Sequence, residues 1–181
     1  MAEIPQEPDY PTLFRQHIQR STTRVHADVQ HAGTPLPEET RDQTLHVLSF
    51  ALDLPAIWPL TRDLLQTLAP QLEQAGVRED WMPFLEKGIL TSDVQGDTAT
   101  GAELRLQLGI LLQAIGEYAR ARECLAAAAD AFAQAGQPGG QARALSRTAY
   151  IAHLQNRPQE GQPLLDTAVA LLTEDDPQFA Y

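Results

Sequence analysis

Apolar residues return at i, i+3, i+4 and i+7 along most of the chain, the spacing that gathers side chains on one face of an α-helix. Glycines and prolines cut that pattern into helical lengths. The spacing predicts helices over 12–32, 38–53, 56–75, 79–91, 102–115, 118–135, 141–155 and 159–172. Between them lie GTPLP (33–37), GVRED (76–80), SDVQGDTATG (92–101), GE (116–117), GQPGG (136–140) and NRP (156–158), which supply residues that end helices. No alternating apolar and polar run bounded by hairpin signals interrupts the series, so the predicted fold is all-α. Two features resist regular helix. Thr22-Thr23 is a poor interior for a first segment whose apolar stripe is thin. Pro70 should remove a backbone hydrogen bond and bend the third segment.

The pattern also returns on itself with a period of 40 residues. Leu68-Ala69 falls on Leu108-Gly109 and Thr148-Ala149, Leu72 on Leu112 and Ala152, and Gly76 on Gly116 and Asn156. Trp81 meets Ala121 and Gly161, Leu85 meets Leu125 and Leu165, and Gly88 meets Ala128 and Ala168. One step further back, Leu45 and Leu48 take second-helix positions, so a helix–turn–helix unit is written about three and a half times. Antiparallel helices joined by a short turn approach to roughly 8–10 Å, and most closely where small side chains face each other. Gly109, Ala121 and Ala128 provide that, with Leu108, Leu112, Tyr118 and Leu125 filling the space around them. Gly116 and Asn156 stand where a helix ends in a left-handed residue. No copy can bury its apolar face alone, so the copies must stack.

LQLGILLQAIGEYARARECLAAAADAF (106–132), with its pattern L-G-x-x-L-x-x-x-G-E-Y-x-x-A-x-x-x-L-x-x-A, resembles a tetratricopeptide repeat. TAYIAHLQNRPQEGQPLLDTAVALL (148–172) keeps the alternation of small and large residues, with Pro158 in place of Tyr118. TLAPQLEQAGVREDWMPFLEKGIL (67–90) is a weaker copy that carries Trp81 at a normally small position. Its phrase LAPxLExxGxxxxWxPxLExGI is similar to the longer repeats in regulatory arms of bacterial signalling ATPases. The likeness spans about residues 56–175. It implies a right-handed α-solenoid of antiparallel helix pairs, a tetratricopeptide-like superhelix. In this frame 1–37 is a tail and capping helix, 38–55 a half-repeat helix, and 56–181 holds three repeats at about 62–101, 102–141 and 142–181. Arg105 departs from the pattern, which has a large apolar residue there, as Leu65 and Leu145 are; that weakens the expected packing of the first repeat on the second.

The resemblance also implies a function, protein–protein interaction as a scaffold or regulatory module, because the first helix of each pair lines a concave groove for a peptide or partner helix. Carried over by position, the groove takes Asp63, Gln66 and Glu73, then Glu103, Leu106, Ile110 and Gln113, then Arg143, Arg147, Tyr150 and His153. It would run from acidic through apolar to basic with an aromatic. Leu106 and Ile110 have two readings, exposed contact surface or ordinary packing between repeats. Arg143 and Arg147, four apart, could hold one acidic side chain or phosphate, or form a solvated face. The asparagines of a carboxylate clamp are missing, so chaperone-tail binding is not expected. After 159–172 no capping helix follows. Its apolar side, Leu164, Leu165, Ala168, Leu171 and Leu172, is an expected face for self-association. Alternatively Phe179 and Tyr181 fold over it, or the chain is a piece of a larger signalling protein.

Composition narrows the partners. Of 181 residues 43 % are hydrophobic and only 6 % aromatic, with Ala and Leu carrying most of the apolar content, which suits helix over strand. Lys and Arg number 13 against 24 Asp and Glu, and a net charge of −11 repels nucleic acid and anionic lipid. Neither is an expected partner. No stretch approaches the ~18 apolar residues of a membrane span, and the acidic, Pro-rich MAEIPQEPDYP start lacks the features of a signal peptide. Cys124 is the single cysteine, which forbids an intrachain disulfide and fits a cytoplasmic location.

Candidate chemistry is sparse. His26 and His31 are five apart rather than four, and His17, His46 and His153 stand alone, so no metal site is expected and the histidines read as solvated. Lys87, the sole lysine, lacks the glycines of a phosphate loop. No GxSxG or HExxH occurs, and Cys124 reads as a small packing residue among alanines. Neither an enzyme nor a cofactor is expected, and the partner is a protein or peptide.

Overall fold

The chain is described by a computed structural model over residues 9–33, 35–74, 76 and 80–172, without the side chains of Glu73 and Gln74. Phe179 and Tyr181 lie outside the described residues, as does the Glu73 side chain. All regular structure among the described residues is helical, so the fold is all-α. The chain divides into two compact units, Met1–Ala75 and Gly76–Tyr181, a boundary inside the predicted first repeat.

In the first unit α1 (Tyr10–His31) packs on both α2 (Glu38–Ala51) and α3 (Trp58–Gln74), with a 3-10 turn at Pro55–Ile57 before α3. Asp9 caps α1 by accepting a hydrogen bond from the Thr12 amide at 3.2 Å. The Thr22-Thr23 pair does not break α1, because each hydroxyl donates to the carbonyl four residues back, at 2.8 and 3.0 Å. Thr22 thereby joins Ile18, Val25 and Val29 on the buried stripe. Thr44 and Thr61 are buried by the same device. α3 runs through Pro70 without interruption, and Leu64, Leu65, Leu68 and Leu72 are fully buried.

The second unit is α4 (Met82–Gln95), α5 (Thr98–Ala114), α6 (Tyr118–Gln134), α7 (Pro138–Leu154) and α8 (Pro158–Leu171). Each helix packs on the next, and α5 also reaches α7. The ten-residue connection expected at 92–101 shrinks to Gly96 and Asp97. Gly96 is left-handed (φ 67°), its amide bonds the Asp93 carbonyl, and the Asp97 amide bonds the Ser92 carbonyl at 2.9 Å. Those paired bonds close α4, and Asp97 then caps α5 by accepting from the Thr100 amide. The same closure follows at Gly116, Gly136 and Asn156, twenty residues apart. GQPGG is likewise mostly helix, with Pro138 at the start of α7.

Close approach within the pairs rests on glycine. A Cβ on Gly109 would stand 2.7 Å from Leu125 Cγ, and one on Gly161 would stand 2.9 Å from the Ala149 carbonyl oxygen. Between successive pairs, Gly140 of α7 lies against the Phe132 ring of α6 in the same way. Leu108, Leu112, Leu125, Ala121 and Ala128 are all buried around them.

Candidate protein-interaction surface

α5 and α7, the first helices of two successive pairs, lie side by side. Arg143 on α7 donates to both oxygens of Glu103 on α5, at 2.7 and 3.4 Å, while its guanidinium stands 5.8 Å from the centre of the Phe132 ring. Arg143 is therefore already paired, and of the two arginines only Arg147 remains exposed without an ion pair among the described residues. Ile110 and Gln113 are half-buried on α5, and Tyr150 and His153 are exposed on α7. Leu106 is 2 % exposed and has no surface to offer a partner, so of its two readings packing between helices holds and its place in the groove is corrected. The reason is its helix: α5 is packed by α4, α6 and α7, and buries side chains on nearly every side. Gln107, which the sequence did not single out, flanks Ile110 together with Gln113; the amide oxygens of both glutamines are buried without a protein partner.

In the first unit, Asp63 and Gln66 line a depression of about 350 Å³ with His26, Gln30 and Thr67. His26 is not simply solvated, since its Nε2 lies 3.0 Å from the Thr67 hydroxyl. Gln71 donates to the Val29 carbonyl at 3.3 Å beside it. These bonds fix α1 on α3 across about forty residues, a pairing that follows from how α1 docks and not from any local motif.

Arg105 joins α5 to α4. Its Nη2 lies 2.6 and 2.8 Å from the two carboxylate oxygens of Asp93, so an ion pair replaces the apolar contact expected at that place. Beside it a cavity of about 500 Å³ opens between α4 and α6, bordered by Leu90, Leu108 and Cys124. Burial pushes the Cys124 thiol above its ordinary pKa, partly offset by Arg120, which leaves it a poor nucleophile at neutral pH. Leu90 and Val94 are exposed on α4 as an i, i+4 apolar pair.

At the other end of the unit, Tyr150 and His153 line a cavity of about 420 Å³ with Pro158, Gly161 and Leu165 of α8. Of the expected self-association face, Leu164, Leu171 and Leu172 are half-buried and Leu165 is exposed. Ala168 is 3 % exposed, a packed residue of α8 and not part of the open face. Val169 and Leu154, which are exposed, extend that face instead.

Among the described residues no His, Cys, Asp and Glu cluster could hold a metal ion. No helix among them is long and apolar enough to cross a membrane. No family model matches the chain. No curated protein matches it in sequence. Solved structures do. A kinesin light chain of Podospora anserina with nearly identical TPR-like repeats aligns with a TM-score of 0.55 at 15 % identity, covering 95 % of this chain and 82 % of that one. A MamA structure, AMB-1, aligns with a TM-score of 0.35 at 13 % identity, covering 92 % of this chain and 97 % of that one, too low a score to bear on the fold. The first likeness places the chain among tetratricopeptide-like helical repeats in fold.

Proposed function

We propose that the chain is a protein-interaction scaffold that holds a peptide or a partner helix across α5 and α7, within the repeats 102–141 and 142–181. One observation carries this reading. The Glu103–Arg143 pair fastens two first helices side by side, and beside it the half-buried Ile110 of α5 offers apolar area. A bound segment gains by burying the apolar area of Ile110. Arg147 supplies positive charge at the α7 edge and sets the orientation of an acidic partner. The phrase around Trp81 further supports placing such a scaffold in a signalling protein.

The test is affinity capture with the purified chain beside its Ile110→Glu variant, both of equal helicity. A protein held by the parent and lost at least tenfold with the variant supports the reading; equal capture, or no capture, contradicts it.

A further inference from the structure

α4 and α6 both pack on α5 and leave a groove between them. It joins the cavity of about 500 Å³ beside Leu90 and Cys124 to a second of about 360 Å³ beside Gly96 and Gln134, the two sharing Arg105 and Ala127. The floor is Arg105 and Leu108 of α5. Leu108 is two residues from Ile110, about 200° round the helix, so the groove opens away from the α5–α7 surface. Its α4 wall is apolar where the repeat is otherwise polar. Leu90 is 66 % and Val94 81 % exposed, whereas their counterparts one period later are Asp130 and Gln134. The α6 wall presents Cys124, Ala127 and Ala131, small side chains that let another helix lie close.

We propose that this groove holds a basic amphipathic helix of a partner protein. Charge selects that occupant. Each wall carries two carboxylates seven residues apart. Those of α4 are already neutralised, Glu86 by Arg120 at 3.2 Å and Asp93 by Arg105 at 2.6 Å. Those of α6, Glu123 and Asp130, line the groove, are exposed, and hold no ion pair among the described residues. Seven residues advance about 10.5 Å along a helix. A helix lying along α6 therefore brings basic residues at i and i+7 onto Glu123 and Asp130 together, while its apolar side covers Leu90 and Val94. A second copy of the chain is a poor occupant, because a net charge of −11 repels its own kind.

Fluorescence anisotropy of the full chain with a peptide of about 18 residues, long enough to form a helix, tests this. The peptide is built of Leu, Ala and Lys, with two lysines seven apart at the edge of its leucine face. The chain should bind it, and should bind the same peptide with Glu for Lys at least tenfold more weakly. Leu90→Glu should lower the affinity for the Lys peptide at least tenfold, and Glu123→Gln with Asp130→Asn about threefold or more. Glu123→Lys with Asp130→Lys should reverse the preference and take the Glu peptide. Ile110→Glu should bind as the parent does, which separates this groove from the α5–α7 surface. So should Glu160→Gln, which removes an exposed carboxylate elsewhere. No binding by the parent, indifference to Leu90→Glu, or a loss with Glu160→Gln equal to that of the Glu123 and Asp130 variant would each overturn the proposal.

Discussion

Gly116 closes α5 at φ 83°, and Asn156 closes α7 at φ 57° in the equivalent place. An L side chain other than Asn or Asp costs roughly 1–2 kcal/mol there. Gly116→Ala should therefore lower stability by about that amount, and Gly116→Asn by markedly less, as chemical denaturation will show. Gly109 is constrained differently, by space, because a Cβ would press on Leu125 and approach the Ala121 carbonyl. Gly109→Ala should cost about 1–3 kcal/mol through overpacking, with the denaturant slope unchanged. Both positions were legible in the sequence, since Gly or Asn, the types that tolerate a left-handed turn, recurs at 76, 116 and 156, and a small residue recurs at 69, 109 and 149. Thr22 and His26 were not. Whether a threonine interrupts a helix or bonds its own carbonyl, and whether a histidine is solvated or meets Thr67, depends on which face the fold buries.

At the scale of elements, the periodicity marked all eight helices but placed some of their ends short. SDVQGDTATG reads as loop because Ser, Asp, Thr and Gly favour turns, yet Ser92 lies inside α4 and α5 begins at Thr98. Only Gly96 and Asp97 do the turning. The seam between α4 and α5 shows the same limit. Arg105 looked like a packing defect, and its partner Asp93 lay in what read as a loop. Asp93→Ala should cost about 1 kcal/mol by leaving the mostly buried Arg105 guanidinium unpaired. Adding Arg105→Leu should recover it, since Leu145 fills the corresponding place on α7. Thermal denaturation of the single and double variants measures this coupling; additive losses would mean that the ion pair does not hold the seam. The Glu103–Arg143 pair was within reach of sequence, being opposite charges one period apart on successive first helices.

For the whole molecule, a helical-repeat fold followed from the 40-residue period, whereas the division into two units at residues 75 and 76 did not. Nothing in the repeat pattern marks that boundary, because the turn at Gly76 has the same residue as the turn at Gly116. The burial of the proposed surface was legible only in part. Sequence pointed to the first helices and left Leu106 with two readings, and the three neighbours that enclose α5 decide for packing. The central claim is that α5 and α7 together receive the partner. Hydrogen–deuterium exchange of the chain, alone and with a captured partner, tests it most directly. Slower exchange confined to 98–114 and 138–154 is the predicted result. Protection that falls on α4 and α6, or on α1 and α2, while α5 and α7 exchange as in the free chain would contradict it.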